Sequence, residues 1–377
     1  MKYYIIAGEP SGDLHGSNLM KGILSKDQEA DIRFWGGDLM SAVGGTMVRH
    51  YKDTAVMGVW DVLTHLGKIR QNFKVCRRDL LENRPDVLIL IDYPGFNLPM
   101  AEFAHKHGIK VYYYIAPKTW ASKEYRVKTI RKVVDRLYTI FPFETSYFKK
   151  FGIDVQFSGN PCMDAISERH HADESREEFC NRVGLELDKP IVALLAGSRQ
   201  GELKYNLPAM LKEADKHKDC QFVIAGAPSF TERDYEKYIA GHDVKIVFNE
   251  TYQLVRHARC AIVTSGTATL ETALLNCPQI VLYLMWGGRF ADFMAKRVFI
   301  KVPYISLVNL NLNRTAVEEL FQCAYTEEKM HDLLNDLIAD TPYREKMLND
   351  YAELQEVIGG PGCSYRAAED MVEALKR

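Results

Sequence analysis

The sequence lacks a charge of either sign in excess. Across 377 residues the formal net charge is −2, so no global field draws the chain to nucleic acid, and an anionic partner must meet local basic patches. It also lacks paired cysteines. The eight present, at 76, 162, 180, 220, 260, 277, 323 and 363, form no C-x-x-C pair and no zinc-ribbon spacing, which points to reduced, mostly buried thiols and a cytoplasmic compartment. No signal-peptide core is found, because the short apolar run at 3–7 meets Glu9-Pro10 at once, and export is not indicated. The most apolar later stretch, 268–286, is broken by Glu271, Asn276, Pro278 and Gln279, so any membrane contact is expected to be peripheral. G-x-G-x-x-G, the Walker P-loop, G-x-S-x-G and Asp-x-Asp are all absent. Their absence removes a dinucleotide fingerprint, a P-loop NTPase and a serine hydrolase elbow. His105 and His107 flank Lys106 at a predicted helix end, a solvated surface and not a metal site. No metal and no cofactor is expected.

Ordinary globular composition is what remains, with 47% apolar and 26% charged residues, in a chain long enough for two domains. Short β-branched or aromatic runs alternate with amphipathic stretches, the pattern of a parallel sheet covered by helices. Strands are predicted at 3–7, 32–35, 87–91, 111–114, 137–140 and 155–157, and helices at 14–25, 59–81, 98–106, 123–134 and 144–151. Residues 161–189 are charged, carry His170-His171, and read as a connection with one surface helix. The alternation then restarts, with strands at 191–195, 221–224, 244–247, 260–263 and 279–283. Two doubly wound α/β domains follow, 1–165 and 166–345. Residues 346–377 are helical, interrupted at Gly359-Gly360-Pro361-Gly362, and are expected to pack across domains or subunits.

Ligands of open parallel sheets bind at the carboxyl ends of the strands, so the loops there carry the candidate residues. In Gly8-Glu9-Pro10-Ser11-Gly12-Asp13, Ser11 or Asp13 suits a helix cap, while the glycines equally suit close approach of a ligand to Glu9, Ser11, Gly12 and Asp13. Asp92 ends an apolar strand, Pro94-Gly95 turns the chain, and Asn97 suits a cap. On spacing alone Asp92 fits two roles, a structural aspartate bonded to loop amides or a general base on a hydroxyl. The sequence Gly197-Ser198-Arg199-Gln200-Gly201-Glu202 sets a fixed cation after a strand. Arg199 is the best candidate for a phosphate contact, although pairing with Glu202 at helical spacing also explains it. In Thr264-Ser265-Gly266-Thr267-Ala268-Thr269-Leu270-Glu271 a strand ends in small hydroxylated residues and a helix starts near Thr267. A pyrophosphate fits such a helix start without metal, and Glu271 is within reach of a ribose hydroxyl.

The ordered blocks AGEPSGDLHGS (7–17), AVMGVWDVL (55–63), IDYPGFN (91–97), APKTWA (116–121), IFPFE (140–144), GNPCMD (159–164), LLAGSRQGEL (194–203), SGTATLETAL (265–274) and YISLVNL (304–310) resemble lipid-A-disaccharide synthase from residue 7 to 310. The resemblance implies two Rossmann-like domains facing one cleft, the GT-B glycosyltransferase fold. It implies transfer of 2,3-diacylglucosamine from UDP to 2,3-diacylglucosamine 1-phosphate, giving a β-1,6 disaccharide and UDP. By matching position, Asp92 is the implied base, Arg199 a UDP-phosphate contact and Asn309 an active-site polar residue. Glu202, Ser265, Gly266, Thr267 and Glu271 complete the implied nucleotide pocket, with Gly197 and Ser198. The chain departs from the family pattern at Gly95, Lys118, Ser122, Ala196 and Leu284. A second transferase for lipid-linked sugars, a UDP-sugar epimerase and a non-catalytic nucleotide-binding module are the competing readings.

Both implied substrates carry acyl chains, and 56–81 reads as an amphipathic helix. Val62, Leu63, Leu66 and Ile69 mark an apolar face beside Lys68, Arg70, Lys74, Arg77 and Arg78. A core-facing helix with a solvated basic side has the same pattern. Trp60 and the purely basic cluster favour a membrane-facing surface, with the enzyme held peripherally on the inner face of the inner membrane. A homodimer is left open.

Overall fold

The structure, a computed structural model, describes residues 1–54, 66–121, 123–287 and 303–377. The chain forms two units, Met1–Ala165 with Ile358–Arg377, and Ile166–Val357. The segment 346–377, read from the sequence as one block, is thus split at Ile358.

The first unit holds β1 (Lys2–Ala7), α1 (Pro10–Lys26), β2 (Asp31–Gly36), α2 (Asp38–Val43), β3 (Thr46–His50), α3 (Tyr51–Thr54), α4 (Leu66–Asn83), β4 (Val87–Ile91) and α5 (Pro94–Lys106). It continues with β5 (Lys110–Tyr114), α6 (Arg126–Val133), β6 (Arg136–Thr139), α7 (Pro142–Lys149), β7 (Val155–Phe157) and α8 (Pro161–Ser167). Its sheet runs β3-β2-β1-β4-β5-β6-β7, every pairing parallel. Strands β1, β4 and β5 are buried almost throughout, as expected of strands covered by helices on both faces. The sequence missed β3, whose residues are exposed or half-buried and so lack the apolar run that marks a central strand.

The second unit holds α9 (Arg176–Val183), β8 (Ile191–Leu195), α10 (Gln200–Lys216), β9 (Gln221–Gly226), α11 (Glu232–Ile239), β10 (Val244–Phe248), α12 (Thr251–His257), β11 (Cys260–Thr264) and α13 (Thr267–Leu274). It ends with β12 (Gln279–Tyr283), α14 (Leu307–Leu312), β13 (Glu319–Phe321), α15 (Glu327–Ile338) and α16 (Pro342–Ile358). Its sheet order is β10-β9-β8-β11-β12-β13. The connection 161–189 carries two helices, not one, and Phe179 and Cys180 of α9 are buried in the second unit's core.

The last helix, α17 (Cys363–Lys376), returns to the first unit and packs on α1. Gly22 permits that packing, since a Cβ there would come 2.8 Å from the Cβ of Ala368. The Asp164 carboxylate accepts from the N–H groups of Gly362, Cys363 and Ser364 at 2.6, 3.0 and 2.8 Å, satisfying amides that a helix start leaves open. Arg136 and Tyr138 both donate to Asp370, at 2.7 and 2.6 Å. The GNPCMD block is explained by this anchoring. Seven of the eight cysteines are buried, Cys323 is exposed, and all are free.

Candidate active site

In each sheet the strand order reverses once, between β1 and β4 and between β8 and β11. The crevice outside the strand ends at such a point is where open α/β sheets bind ligands. The four loops picked out by sequence leave those four strands.

In the first unit the backbone at the ends of β4 and β5 is strained. Asp92, Tyr93 and Ile115 have φ of 41°, 45° and 63°, a left-handed region unfavourable for residues with a Cβ and most so for β-branched isoleucine. Asn97 holds the turn, its Nδ2 donating to the carbonyls of Ile91 and Asp92 at 3.1 and 2.7 Å, and the Tyr113 hydroxyl donates to the Asp92 carbonyl at 2.7 Å. Asn97 is therefore a brace and not the helix cap expected, because α5 starts earlier, at Pro94. With its carbonyl fixed, the Asp92 side chain lines a recess of ≈ 170 Å³ shared with Pro94, Pro117, Lys118, Thr119 and Arg126. Burial pushes its carboxyl up to about 6; Glu9 adds to the rise, and Lys118, Arg126 and the Tyr93 amide oppose it. Such a group is mostly ionised at neutral pH yet more basic than an ordinary aspartate.

The Lys118 loop is held from the far side. Trp120 Nε1 donates to Glu144 Oε1 at 2.8 Å, and Glu144 Oε2 accepts from the amides of Ile140 and Phe141 at 3.0 and 3.1 Å. Glu144 is fully buried, which raises its carboxyl to about 7 against those three donors. The APKTWA and IFPFE blocks are thus two halves of one contact. Sequence reasoning missed Lys118, Arg126 and Glu144 as neighbours of Asp92, since no periodicity links residues so far apart.

The first loop is corrected in part. Glu9 and Ser11 are exposed. Asp13 is buried, and its carboxylate accepts from Gly37, Leu39 and Met40 N–H at 2.7, 3.0 and 3.1 Å; it fixes the start of α2 and does not face a ligand. Gly12 is buried against Ala7 and Ile91 and lets α1 approach the sheet. A Cβ on Gly8 would lie 2.3 Å from the Tyr93 ring, so glycine there lets the two loops touch.

In the second unit two helix starts differ. At α10, Glu202 folds back so that Oε2 accepts from the N–H groups of Ser198 and Arg199 at 3.0 and 3.3 Å. Gly197, with φ 99°, makes room, since a Cβ would sit 2.5 Å from that carboxylate oxygen. Glu202 is therefore a capping carboxylate and not a nucleotide contact, because it fills the amides that a phosphate would use. Arg199 pairs loosely with Glu202 at 3.3 Å and leaves its side chain 75% exposed. At α13 the N-cap is Gly266, and among the described residues no side chain accepts from the Thr267 and Ala268 amides, so these stay open beside Gly266 and Thr267, both exposed. Ser265 Oγ donates to the Ile305 carbonyl at 2.8 Å, and Glu271 accepts from the Tyr252 hydroxyl at 2.7 Å, its carboxyl raised by burial.

Asn309 sits inside the second unit's packing. It is fully buried, its Nδ2 donates to the Val317 carbonyl and to Glu319 at 2.8 and 2.9 Å, and its Oδ1 accepts from Ala316 and Val317 at 2.8 and 2.9 Å. With every polar atom bonded within the protein, it shapes the 306–319 segment. Among the described residues one group could hold a metal ion, Glu213, His217 and His331. Protein groups already engage it: Lys216 and His331 on Glu213 at 2.9 and 3.1 Å, and Asn335 on His217 at 3.1 Å.

The membrane-facing residues divide. Val62 and Leu63 lie outside the described residues, as does the Leu66 side chain. On α4, Lys68 and Arg70 are exposed and Ile69 half-buried. Phe73 packs on the core and Cys76 and Leu80 are buried within it. From Phe73 onward the helix turns Phe73, Cys76 and Leu80 to the core and keeps a basic outer side. Among the described residues no helix is long and apolar enough to cross a membrane.

Two doubly wound parallel sheets with candidate residues at both switch points define an α/β protein of the GT-B class. The fold is similar to UDP-GlcNAc 2-epimerase from Neisseria meningitidis bound to UDP-GlcNAc, 12% identical, with 99% of this chain and 100% of that one covered at a TM-score of 0.70. It is also similar to the glycotransferase of kitacinnamycin, 12% identical, with 99% and 98% covered at a TM-score of 0.62. At such identities the likeness shows the fold alone. The family model of lipid-A-disaccharide synthetase matches residues 3–364, and the chain belongs to that family. Lipid-A-disaccharide synthases of Geobacter sulfurreducens and Syntrophus aciditrophicus are 35% and 36% identical, over 98% and 99% of this chain and 96% and 97% of theirs. The chain is accordingly an enzyme, a glycosyltransferase, and the family resemblance carried by the ordered blocks is confirmed.

Proposed function

We propose that the enzyme transfers 2,3-diacylglucosamine from its UDP carrier to 2,3-diacylglucosamine 1-phosphate by direct inverting displacement without a metal ion. Asp92 takes the proton of the acceptor 6-hydroxyl while that oxygen bonds the donor's anomeric carbon. The bond from that carbon to the diphosphate breaks with inversion, and UDP leaves. In the second unit the open amides of α13, with Ser265, Gly266 and Thr267, are the proposed seat of the diphosphate, Arg199 its cation and Glu271 the ribose contact. The observation that carries the reading is Asp92, a carboxylate on a braced, strained turn, raised to about 6 and lining a recess.

The basic outer side of α4, with Lys68, Arg70, Lys74, Arg77 and Arg78 exposed, supports peripheral binding to the inner face of the inner membrane, each charge contributing on the order of 1 kcal/mol near an anionic surface. The test is incubation of the purified chain with both lipids. Disaccharide 1-phosphate and UDP should form in equal amounts, and EDTA should leave the rate unchanged. Isomerisation of the donor with no acceptor present would make the protein an epimerase, and UDP binding without turnover would make it a binding module.

A further inference from the structure

The recess beside Asp92 holds more positive charge than one carboxylate requires. Lys118, on the loop after β5, and Arg126, at the start of α6, both line it. Neither side chain has a hydrogen bond or ion pair among the described residues. Both act on Asp92 through space, as does the exposed Glu9. Two unpaired cations converging from different elements on a recess are the arrangement that takes an oxyanion. At ≈ 170 Å³ the recess is a subsite for part of a ligand.

We infer that Lys118 and Arg126 form an anion seat for the phosphate monoester of the acceptor sugar. The inference rests on the proposed reaction, in which Asp92 deprotonates the 6-hydroxyl. That hydroxyl and the 1-phosphate are carried by one pyranose ring, so an acceptor placed for proton removal brings its phosphate close to whatever lines the same recess. Seating the phosphate fixes the ring and points the 6-oxygen at Asp92.

The experiment is steady-state transfer by the full chain and by Lys118→Met and Arg126→Gln, using 2,3-diacylglucosamine 1-phosphate and the same lipid without its phosphate. Wild type should prefer the phosphorylated acceptor, and the ratio of the two kcat/KM values should fall about tenfold or more in each variant, while the Kd for UDP stays as in wild type. An unchanged ratio would overturn the seat and leave the cations as partners of Asp92 alone. A matching loss of UDP affinity would assign them to the donor's diphosphate instead. Lys118 is exposed, so its variant carries the test even where Arg126→Gln does not fold. Failure of the wild type to transfer to either acceptor would overturn the transferase reaction itself, and the seat's ligand with it.

Discussion

The two units share one winding, with strand order reversing beside β1 in one and beside β8 in the other, yet their switch points carry opposite chemistry. The first places a raised carboxylate among cations on strained turns. The second places a helix start with open amides among small hydroxylated side chains. The winding fixes where a ligand binds, and the loop residues fix which charge it must carry. The same lesson holds within the second unit. Helix α10 closes its start with Glu202, and α13 leaves its start open, so only one of the two resembles an anion site.

The largest effect is expected at Asp92. Asp92→Asn should lower kcat about 10²–10⁴-fold with UDP affinity unchanged, because a lost general base costs that much and the proposed donor contacts are all residues of the second unit. Near-normal turnover by stopped assay would remove Asp92 from the mechanism. A second test makes α13 resemble α10. Gly266 has open space where a Cβ would go and an extended backbone, so Gly266→Asp should cap the helix and raise the Kd for UDP about tenfold or more, with no loss of thermal stability. Tighter or equal UDP binding by calorimetry would mean the amides are not the diphosphate site.

Stability should respond in the opposite direction from activity. Asp92 titrates at about 6 in the folded state, well above the ordinary aspartate value of ~4, so the folded state binds the proton more tightly than the unfolded state. Its contribution is fully present below about pH 4 and is lost as pH rises through 6, and at neutral pH the buried charge destabilises. Asp92→Asn should therefore be more stable than wild type by about 1–3 kcal/mol at pH 8, with the difference vanishing near pH 4. Urea titration at both pH values checks it. The smallest effect is expected on α4, where replacing Lys68 and Arg70 with glutamine should weaken binding to anionic vesicles by about 2 kcal/mol and leave the fold unchanged, since both side chains are exposed.

Much of the fold was legible because buried parallel strands are short apolar runs, and 3–7, 87–91, 191–195 and 260–263 read as such. The strands β3 and β13 were not, one being half-exposed and the other three residues long. Polar residues inside the family blocks were legible as positions but not as roles. Asp13, Glu202 and Asn309 each lie in the first turn of a helix, and each turns back to satisfy backbone groups. Asn97 and Asp164 do the same. Composition cannot distinguish a side chain that faces a ligand from one that holds the loop which faces it.

By itself the sequence determined the two-domain α/β class, the family, and the four loops at the strand ends, because apolar periodicity and glycine placement are local properties of the chain. Tertiary structure decided what those loops do. Only folding brings Lys118 and Arg126 to Asp92, ties Trp120 to Glu144, and turns Glu202 back onto its own helix while α13 stays open. These depend on direction and burial, and the desolvation that raises Asp92 is a property of its surroundings, not of aspartate.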